Sequence, residues 1–221
     1  MRLKLILAMA AGLLFAPPTG AQVPAPEPEN VLLLDLSTGG RVAIQLRPDV
    51  APHHVERIKT LVRQNFYNGL KFHRVIEGFM AQTGDPQGTG QGGSTLPDLA
   101  PEFSALPHVR GVVSMARADA PNSANSQFFI MLAPRMALDG KYSVFGRVIT
   151  GMAYVDAIER GEPPANPSRI LRASIAADNI PPPPPGAIAP VTPPPGLPTT
   201  VPAPAPAPAG ASPGPPAGPP R

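Results

Sequence analysis

The chain has 221 residues, of which 43% are apolar, and this suffices for one ordinary folded domain. It also holds 35 prolines and 21 glycines, so part of it is expected to form no packed core. The formal net charge is +3, and loss of Arg2 and Lys4 with a cleaved leader would lower it to +1. This balance argues against a strongly basic binding surface, and we expect no nucleic-acid partner.

Residues 1–21 are predicted to be a secretory signal peptide. They begin with a basic segment, continue in an apolar run over residues 5–16, and close with the small residues Thr19, Gly20 and Ala21. The run is shorter than the ~20 residues needed to cross a bilayer, which favours cleavage near Ala21 over an uncleaved anchor. We therefore expect a periplasmic or otherwise secreted protein without stable membrane insertion.

The mature chain divides by composition into three parts. Residues 22–29 form a short linker, residues 30–179 form one domain, and residues 180–221 form a Pro/Ala-rich tail. The chain contains no cysteine, so neither a disulfide nor a lipid-modified cysteine can contribute in an oxidising compartment. A core of about 150 residues can be stable without one.

The domain begins with signals for a hairpin and a helix. Two strand-like runs, at residues 31–36 and 41–46, flank a Gly-containing turn and predict an antiparallel pair. After Pro52, apolar residues recur at helical spacing with charged residues between them. This pattern predicts an amphipathic helix that ends near Gln64.

Short apolar runs follow, separated by clusters of Gly, Pro, Asn and Asp. They lie at residues 112–115, 127–132 and 144–149 and favour a closed or sandwiched antiparallel sheet. A second helix fits residues 152–160. No repeat of 20–50 residues is evident, which argues against a solenoid or a propeller.

The tail is predicted to be disordered. From Pro181 onward it consists almost entirely of Pro, Ala, Gly, Thr and Val, and such a segment samples polyproline II and coil. The simplest interpretation is a spacer. The alternative is a ligand for a proline-binding groove, including a groove on the chain's own domain.

Two separated blocks carry the chemistry of the sequence. The first covers residues 67–85 and includes Phe72-His73-Arg74, and a glycine-rich run at residues 88–93 follows it. The second runs from Met115 to Gly146 and includes Ser126-Gln127-Phe128-Phe129. Together, and with a helix before the first block and another after the second, they resemble the signature of the cyclophilin family, here in a bacterial, exported form.

The resemblance covers residues 31–177 and implies a fold and an activity. The fold would be mainly β, a closed eight-stranded antiparallel barrel capped by two α-helices, with the active site on its outer face. The activity would be peptidyl-prolyl cis/trans isomerisation, with Arg74 as the catalytic cation and Gln82 as a catalytic ligand to the substrate backbone. The implied substrate-binding residues are Phe72, Phe79, Met80, Ala118, Gln127, Phe129, Leu138 and Tyr142.

Such a reaction needs no cofactor, metal or nucleophile. Rotation about an X-Pro amide costs ~18–20 kcal/mol but breaks no covalent bond, and a guanidinium can stabilise the twisted nitrogen. The four histidines show no metal-ligand spacing, Ser94, Ser126 and Asp85 stand in no nucleophile motif, and His73 is interpreted as structural. The run at residues 88–93 lacks the ending of a phosphate loop and is predicted to be a flexible turn beside the groove.

Three positions depart from the pattern of well-known cyclophilins. Ala137 stands where eukaryotic members typically carry Trp, and loss of that ring predicts weak binding of cyclosporin. Tyr142 stands where many members have His, which preserves an aromatic border. The loop at residues 117–125 is one residue longer than the common eukaryotic version.

Other functions compete with a catalyst acting on proline-containing polypeptides. The chain could be a chaperone that grips proline-containing segments with little turnover, for which Ala137 argues, although Arg74 and Gln82 argue against it. It could also be an envelope interaction protein whose tail carries the function. A lone domain of this kind is expected to be a monomer.

Overall fold

The computed structural model describes residues 25–182 and 184 of the chain. This part contains eight strands and two α-helices. The strands are β1 (Val31–Leu36), β2 (Gly40–Leu46), β3 (Arg74–Ile76), β4 (Met80–Thr83), β5 (Val112–Met115), β6 (Phe128–Met131), β7 (Val144–Thr150) and β8 (Ile170–Ile175), and the helices are α1 (Pro52–Arg63) and α2 (Met152–Asp156). The predicted signal peptide and all of the predicted tail beyond residue 184 lie outside the described residues.

All eight strands join one antiparallel sheet in the order β3-β4-β6-β5-β7-β2-β1-β8, which curves into a half-barrel. The prediction of a closed barrel is wrong, because β3 and β8 do not pair within the described residues. The outer edge of β3 is instead occupied by Gly161, whose backbone exchanges two hydrogen bonds, of 2.8 and 2.9 Å, with Val75. The segment before β3 and the start of β8 are linked by an isolated bridge between Lys71 and Arg169 and by backbone hydrogen bonds of 2.7–2.9 Å between residues 69–72 and residues 168–170.

The sheet is buried on both faces around β4, β5 and β6. On one face, Val75, Ala81, Val113 and Ile130 contribute to the main core. The other face carries a second apolar cluster, formed by Met80, Val112, Phe129, Met131 and Val144. An antiparallel sheet commonly has one solvated face with alternating polar residues. Burial on both faces explains why these strands are continuous apolar runs in the sequence.

The first hairpin and the first helix are confirmed. β1 and β2 pair in register across a turn in which Gly39 has a positive φ of 100°. α1 begins at Pro52, whose fixed φ suits the first turn, and it packs the apolar side chains of Val55, Ile58 and Leu61 into the main core. It ends at Arg63, one residue before the predicted end.

The second helix is shorter than the predicted span of residues 152–160. α2 ends at Asp156, because the chain then turns to bring Gly161 against the edge of β3 in an extended pairing. Helical spacing of apolar residues does not record this tertiary contact. No helix among residues 25–182 and 184 is both long and apolar enough to cross a bilayer.

Candidate active site

A groove of about 690 Å³ lies on the outer face of the sheet, opposite the main core. Most of the predicted site residues meet here. Those that line it are Arg74, Phe79, Met80, Gln82, Phe129, Leu138 and Tyr142.

Strand register explains why residues so far apart in sequence meet. Arg74 on β3 stands opposite Gln82 on β4, and Gln82 stands opposite Phe129 on β6. Directly opposed residues in antiparallel strands point to the same face of the sheet. The three side chains therefore form one row across the groove, while their immediate neighbours point into the main core.

Arg74 is held by a carboxylate that the sequence analysis did not identify. Its Nε donates a 2.7 Å hydrogen bond to Oε2 of Glu162, and both side chains are about half exposed. Glu162 and the following Pro163 also line the groove. Glu162 lies 88 residues beyond Arg74 in the chain, outside both signature blocks, so no local signal could have linked the two.

Gln82 is fixed by a neighbouring amide. Its Nε2 donates to Oε1 of Gln127 at 2.8 Å, and Nε2 of Gln127 in turn donates to the carbonyl oxygens of Gly90 and Gly92. The two glutamines thus tie β4 to the glycine-rich loop. This arrangement leaves Oε1 of Gln82 available to accept a hydrogen bond from a bound peptide.

The apolar part of the groove has a buried floor and aromatic walls. Met80 and Phe129 are almost completely buried, whereas Phe79, Leu138 and Tyr142 are partly exposed. The ring centroids of Phe129 and Tyr142 lie 5.7 Å apart in an edge-to-face arrangement. A pocket of this shape and chemistry suits a small apolar ring.

Three predicted substrate-binding residues, Phe72, Ala118 and Gln127, do not line this groove. Phe72 is fully buried in the main core, and its N–H donates to the Ser168 carbonyl at 2.9 Å. The structure therefore does not place it at the pocket border. Ala118 lines an adjacent cavity of about 520 Å³, as does Gln127, and that cavity shares Gln82 and Arg117 with the groove.

The glycine-rich loop, predicted as a flexible turn, is held by a buried carboxylate. Asp85 accepts hydrogen bonds from the backbone N–H groups of Gln87, Thr89 and Gly90 at 2.7–2.9 Å. Burial by itself raises the pKa of Asp85, but these donors outweigh it and hold that pKa below its usual value. The loop therefore forms a shaped wall of the groove.

A hydrogen-bonded group of Ser, His and Asp lies behind the groove and was not identified from the sequence. Oγ of Ser114 lies 2.9 Å from Nε2 of His108, and Nδ1 of His108 lies 2.9 Å from Oδ1 of Asp139. Ser114 and His108 are fully buried, so a substrate cannot reach them. The three residues therefore do not act as a nucleophilic triad. They support the pocket instead, since the His108 ring stacks on Phe129 and Asp139 directly follows Leu138.

Two further histidines are buried near functional parts of the fold. Burial lowers the pKa of His73, which lines the groove, and also lowers the pKa of His54 despite its contact with Glu102. Neither belongs to a metal site, because residues 25–182 and 184 contain no group of three or more potential ligands.

Comparison with known proteins places this geometry in a family. The model of the cyclophilin type peptidyl-prolyl cis-trans isomerase/CLD family matches residues 33–175. The chain belongs to the cyclophilin family. It is accordingly a peptidyl-prolyl cis-trans isomerase, an enzyme that accelerates rotation about X-Pro bonds.

Relatives of the cyclophilin domain occur in bacteria and animals. A probable peptidyl-prolyl cis-trans isomerase of Brucella suis biovar 1 (strain 1330) is 51% identical over 170 residues, which cover 70% of this chain and 86% of the relative. The peptidyl-prolyl cis-trans isomerase-like 3 of Gallus gallus is 47% identical over 125 residues, covering 55% and 77% of the two chains.

Solved cyclophilin structures share the fold. AquaCyp293 from Hirschia baltica superposes with a TM-score of 0.65 at 32% identity, covering 69% of this chain and 76% of its own. A Cryptosporidium parvum cyclophilin type isomerase, crystallised in the presence of the dipeptide Ala-Pro, gives a TM-score of 0.62 at 28% identity, with coverages of 66% and 98%.

Proposed function

We propose that the chain isomerises X-Pro bonds in exported proteins and thereby assists their folding outside the cytoplasm. The isomerase activity follows from family membership, and the location is supported by residues 1–21, which have the three-part pattern of a signal peptide. Proline isomerisation takes tens of seconds or more when uncatalysed, which is slow enough to limit folding.

Arg74 is assigned the catalytic role at this groove. A guanidinium near the prolyl nitrogen stabilises the pyramidal nitrogen of the twisted amide, in which conjugation with the carbonyl is lost. The observation that carries this assignment is the row formed by Arg74, Gln82 and Phe129. It supports the assignment because a guanidinium, an amide and an apolar ring lie side by side across the groove, as one X-Pro unit would require.

The substrate contacts follow from the same row. Met80, Phe129 and Leu138 would hold the proline ring, while Gln82 would accept a hydrogen bond from the main chain of the peptide. The Cryptosporidium parvum relative was crystallised in the presence of Ala-Pro, which supports the choice of a short Ala-Pro peptide as the probe.

The test is catalysis by the mature chain, residues 22–221, on an Ala-Pro peptide. Arg74→Ala is expected to lower kcat/KM by about 100-fold or more, because the charge acts chiefly in the transition state. Arg47→Ala is the matched control, since it removes an Arg paired with Asp49 at a surface outside the groove. An Arg74→Ala enzyme with undiminished activity would overturn the assignment.

The competing proposal is a chaperone that binds proline-containing segments with little turnover. Ala137 favours it, because its small exposed side chain adds little wall beside Leu138. In this case the folded wild type would bind the Ala-Pro peptide but hardly accelerate its isomerisation.

Location and assembly form the last part of the proposal. We expect the chain to be found in the periplasm or outside the cell, cleaved near Ala21, and to act as a monomer. Mass spectrometry of the mature N-terminus and size-exclusion chromatography with light scattering test these points. Detection of the protein in the cytoplasmic fraction with residues 1–21 still attached would contradict the export proposal.

A further inference from the structure

We propose that Glu162 is a positioning residue for the catalytic Arg74. Its carboxylate holds the guanidinium at Nε and leaves the two Nη groups free to bind a substrate in the groove. The inference rests on the isomerase activity and on the assignment of Arg74.

The position of Glu162 is set by the backbone. It belongs to residues 160–162, which we call the edge segment because Gly161 pairs with Val75 on the free edge of β3. Gly161 has a φ of +144°, and a Cβ there would stand 2.6 Å from the Cα of Pro164. Only glycine can adopt this φ and allow this close approach, so the backbone of the edge segment depends on Gly161.

The edge segment is fixed by an ion pair on each side of Gly161. On one side Nε of Arg160 donates to Oε2 of Glu77 at 2.5 Å. On the other side Glu162 binds Arg74, the residue immediately before Val75. Pairing of Gly161 with Val75 therefore places Glu162 beside the catalytic side chain.

The contact uses the part of the guanidinium that catalysis does not need. An Arg side chain has five N–H donors in a planar fork, and Nε carries one of them. Within the described residues Arg74 makes no other side-chain hydrogen bond or ion pair, so its four Nη–H groups remain available. A hydrogen bond at Nε restricts rotation of the long side chain and fixes the plane of the fork.

The contact between Glu162 and Arg74 should contribute more to catalysis than to the stability of the fold. Both side chains are half exposed in the free protein, and a pair of this kind adds little to stability. A bound peptide excludes water from the groove, which strengthens the contact when the fork must be oriented. Loss of Glu162 should therefore lower kcat and leave the unfolding midpoint unchanged.

The experiment compares three variants of the mature chain on an Ala-Pro peptide. Glu162→Ala removes the acceptor, and kcat is expected to fall about five- to tenfold with little change in KM. Glu162→Gln keeps a carbonyl acceptor for Nε–H and should retain activity within about twofold of the wild type. Asp49→Ala is the matched control, because it removes a carboxylate that pairs with the exposed Arg47 outside the groove and should leave kcat unchanged.

A double-mutant cycle separates positioning from a general effect. In an Arg74→Ala background, Glu162→Ala should cause no further loss, since residues that act through each other are not additive. The Nε–H resonance of Arg74 gives a second readout that does not depend on turnover. It should be present in the wild type and in Glu162→Gln, and should be shifted or broadened in Glu162→Ala.

Three outcomes would overturn the inference: unchanged or increased kcat in Glu162→Ala, an equal loss in the Arg74→Ala background, or an unchanged Nε–H resonance. Equal losses in Glu162→Ala and Glu162→Gln would also overturn it, because they would assign the effect to charge. An inactive wild type would refute the proposed catalysis separately, and the Nε–H resonance would still report on the contact.

Discussion

Ala137 lies on the single turn that delivers Leu138 to the groove, and its side chain is exposed. A Trp at this position would add a ring wall and an indole N–H donor beside the proline pocket. We expect weak cyclosporin binding by the wild type and affinity at least about tenfold higher for Ala137→Trp, measured by calorimetry. Met136→Trp adds the same ring one residue earlier and should not reproduce the gain. Tight binding by the wild type would contradict the prediction.

The buried His54 and His73 predict a dependence of stability on pH. Burial lowers the pKa of both, so below about pH 6.5 the unfolded chain binds protons that the folded chain does not. The free energy of unfolding should be highest above that pH. It should fall towards pH 5.5, by at most about 1.4 kcal/mol per pH unit for each histidine.

Urea denaturation at pH 7.5, 6.5 and 5.5 measures this slope. The carboxylates whose pKa is lowered, such as Asp85 and Glu102, titrate at lower pH and leave the window to the histidines. A His73→Gln variant should show a smaller slope than the wild type. Equal unfolding free energies at pH 7.5 and 5.5 would rule the interpretation out.

Helix α1 depends on one carboxylate from a distant loop. The two oxygens of Glu102 accept the backbone N–H groups of His53 and His54 at 3.1 Å, and one of them also contacts Nδ1 of His54 at 2.5 Å. No residue of the helix itself supplies a side-chain cap. Glu102 therefore acts as the N-terminal cap of α1 from outside the helix.

Glu102→Ala is expected to lower the free energy of unfolding by about 1–2 kcal/mol, because it leaves the N–H groups of His53 and His54 without their side-chain acceptor. Chemical denaturation measures the change. Glu56→Ala removes an exposed carboxylate from the same helix and should alter stability by less than about 0.5 kcal/mol. Isomerase activity should persist in both variants, and similar stabilities for the two would contradict the capping role.

Elements that rest on local patterns could be predicted from the sequence. The hairpin of β1 and β2, helix α1 and strand β5 follow from turn chemistry and periodicity, and the structure confirms them. Features that depend on distant contacts could not be predicted. The edge of β3 is occupied by Gly161 rather than by β8, so the expected barrel is open and α2 ends early.

The site residues also divide into those that could be predicted and those that could not. Arg74, Gln82 and Phe129 were identified only through the family signature blocks. Their apolar surroundings alone do not show whether a strand residue joins the main core or the apolar cluster at the groove. Glu162 and the His108–Asp139 contact lie outside any pattern of the sequence, because strand register and loop path alone bring these residues together.

At the scale of the whole molecule, the tail contains Ala-Pro bonds of the kind that the groove is proposed to bind. Residues 201–208 alternate proline with alanine after their first residue. An extended segment of polyproline II gains about 3.1 Å per residue, so the 20 residues between Ile180 and this segment can span about 60 Å. A domain of this size has a radius of gyration near 15 Å, by the usual scaling of about 2.2·N^0.38. The tail is therefore long enough to reach the groove.

Removal of residues 181–221 should raise the rate on an added Ala-Pro peptide by about twofold or more, because a tethered segment competes at high effective concentration. The unfolding midpoint of the domain should not change. Replacing the alternating segment by Gly and Ser at equal length should reproduce the gain and so exclude an effect of tail length. An unchanged rate after truncation would eliminate self-competition.

The two-sided burial of the sheet also bears on how this protein can change over time. Positions along β4 and β6 alternate between the main core and the groove, so substitutions that retune the groove leave the opposite layer intact. Three apolar or aromatic groove residues that are partly exposed, Phe79, Leu138 and Tyr142, lie outside the strands, where replacement disturbs the ladder least. New client preferences can therefore arise by single substitutions without loss of foldability, and related isomerases can diverge in specificity while retaining one scaffold.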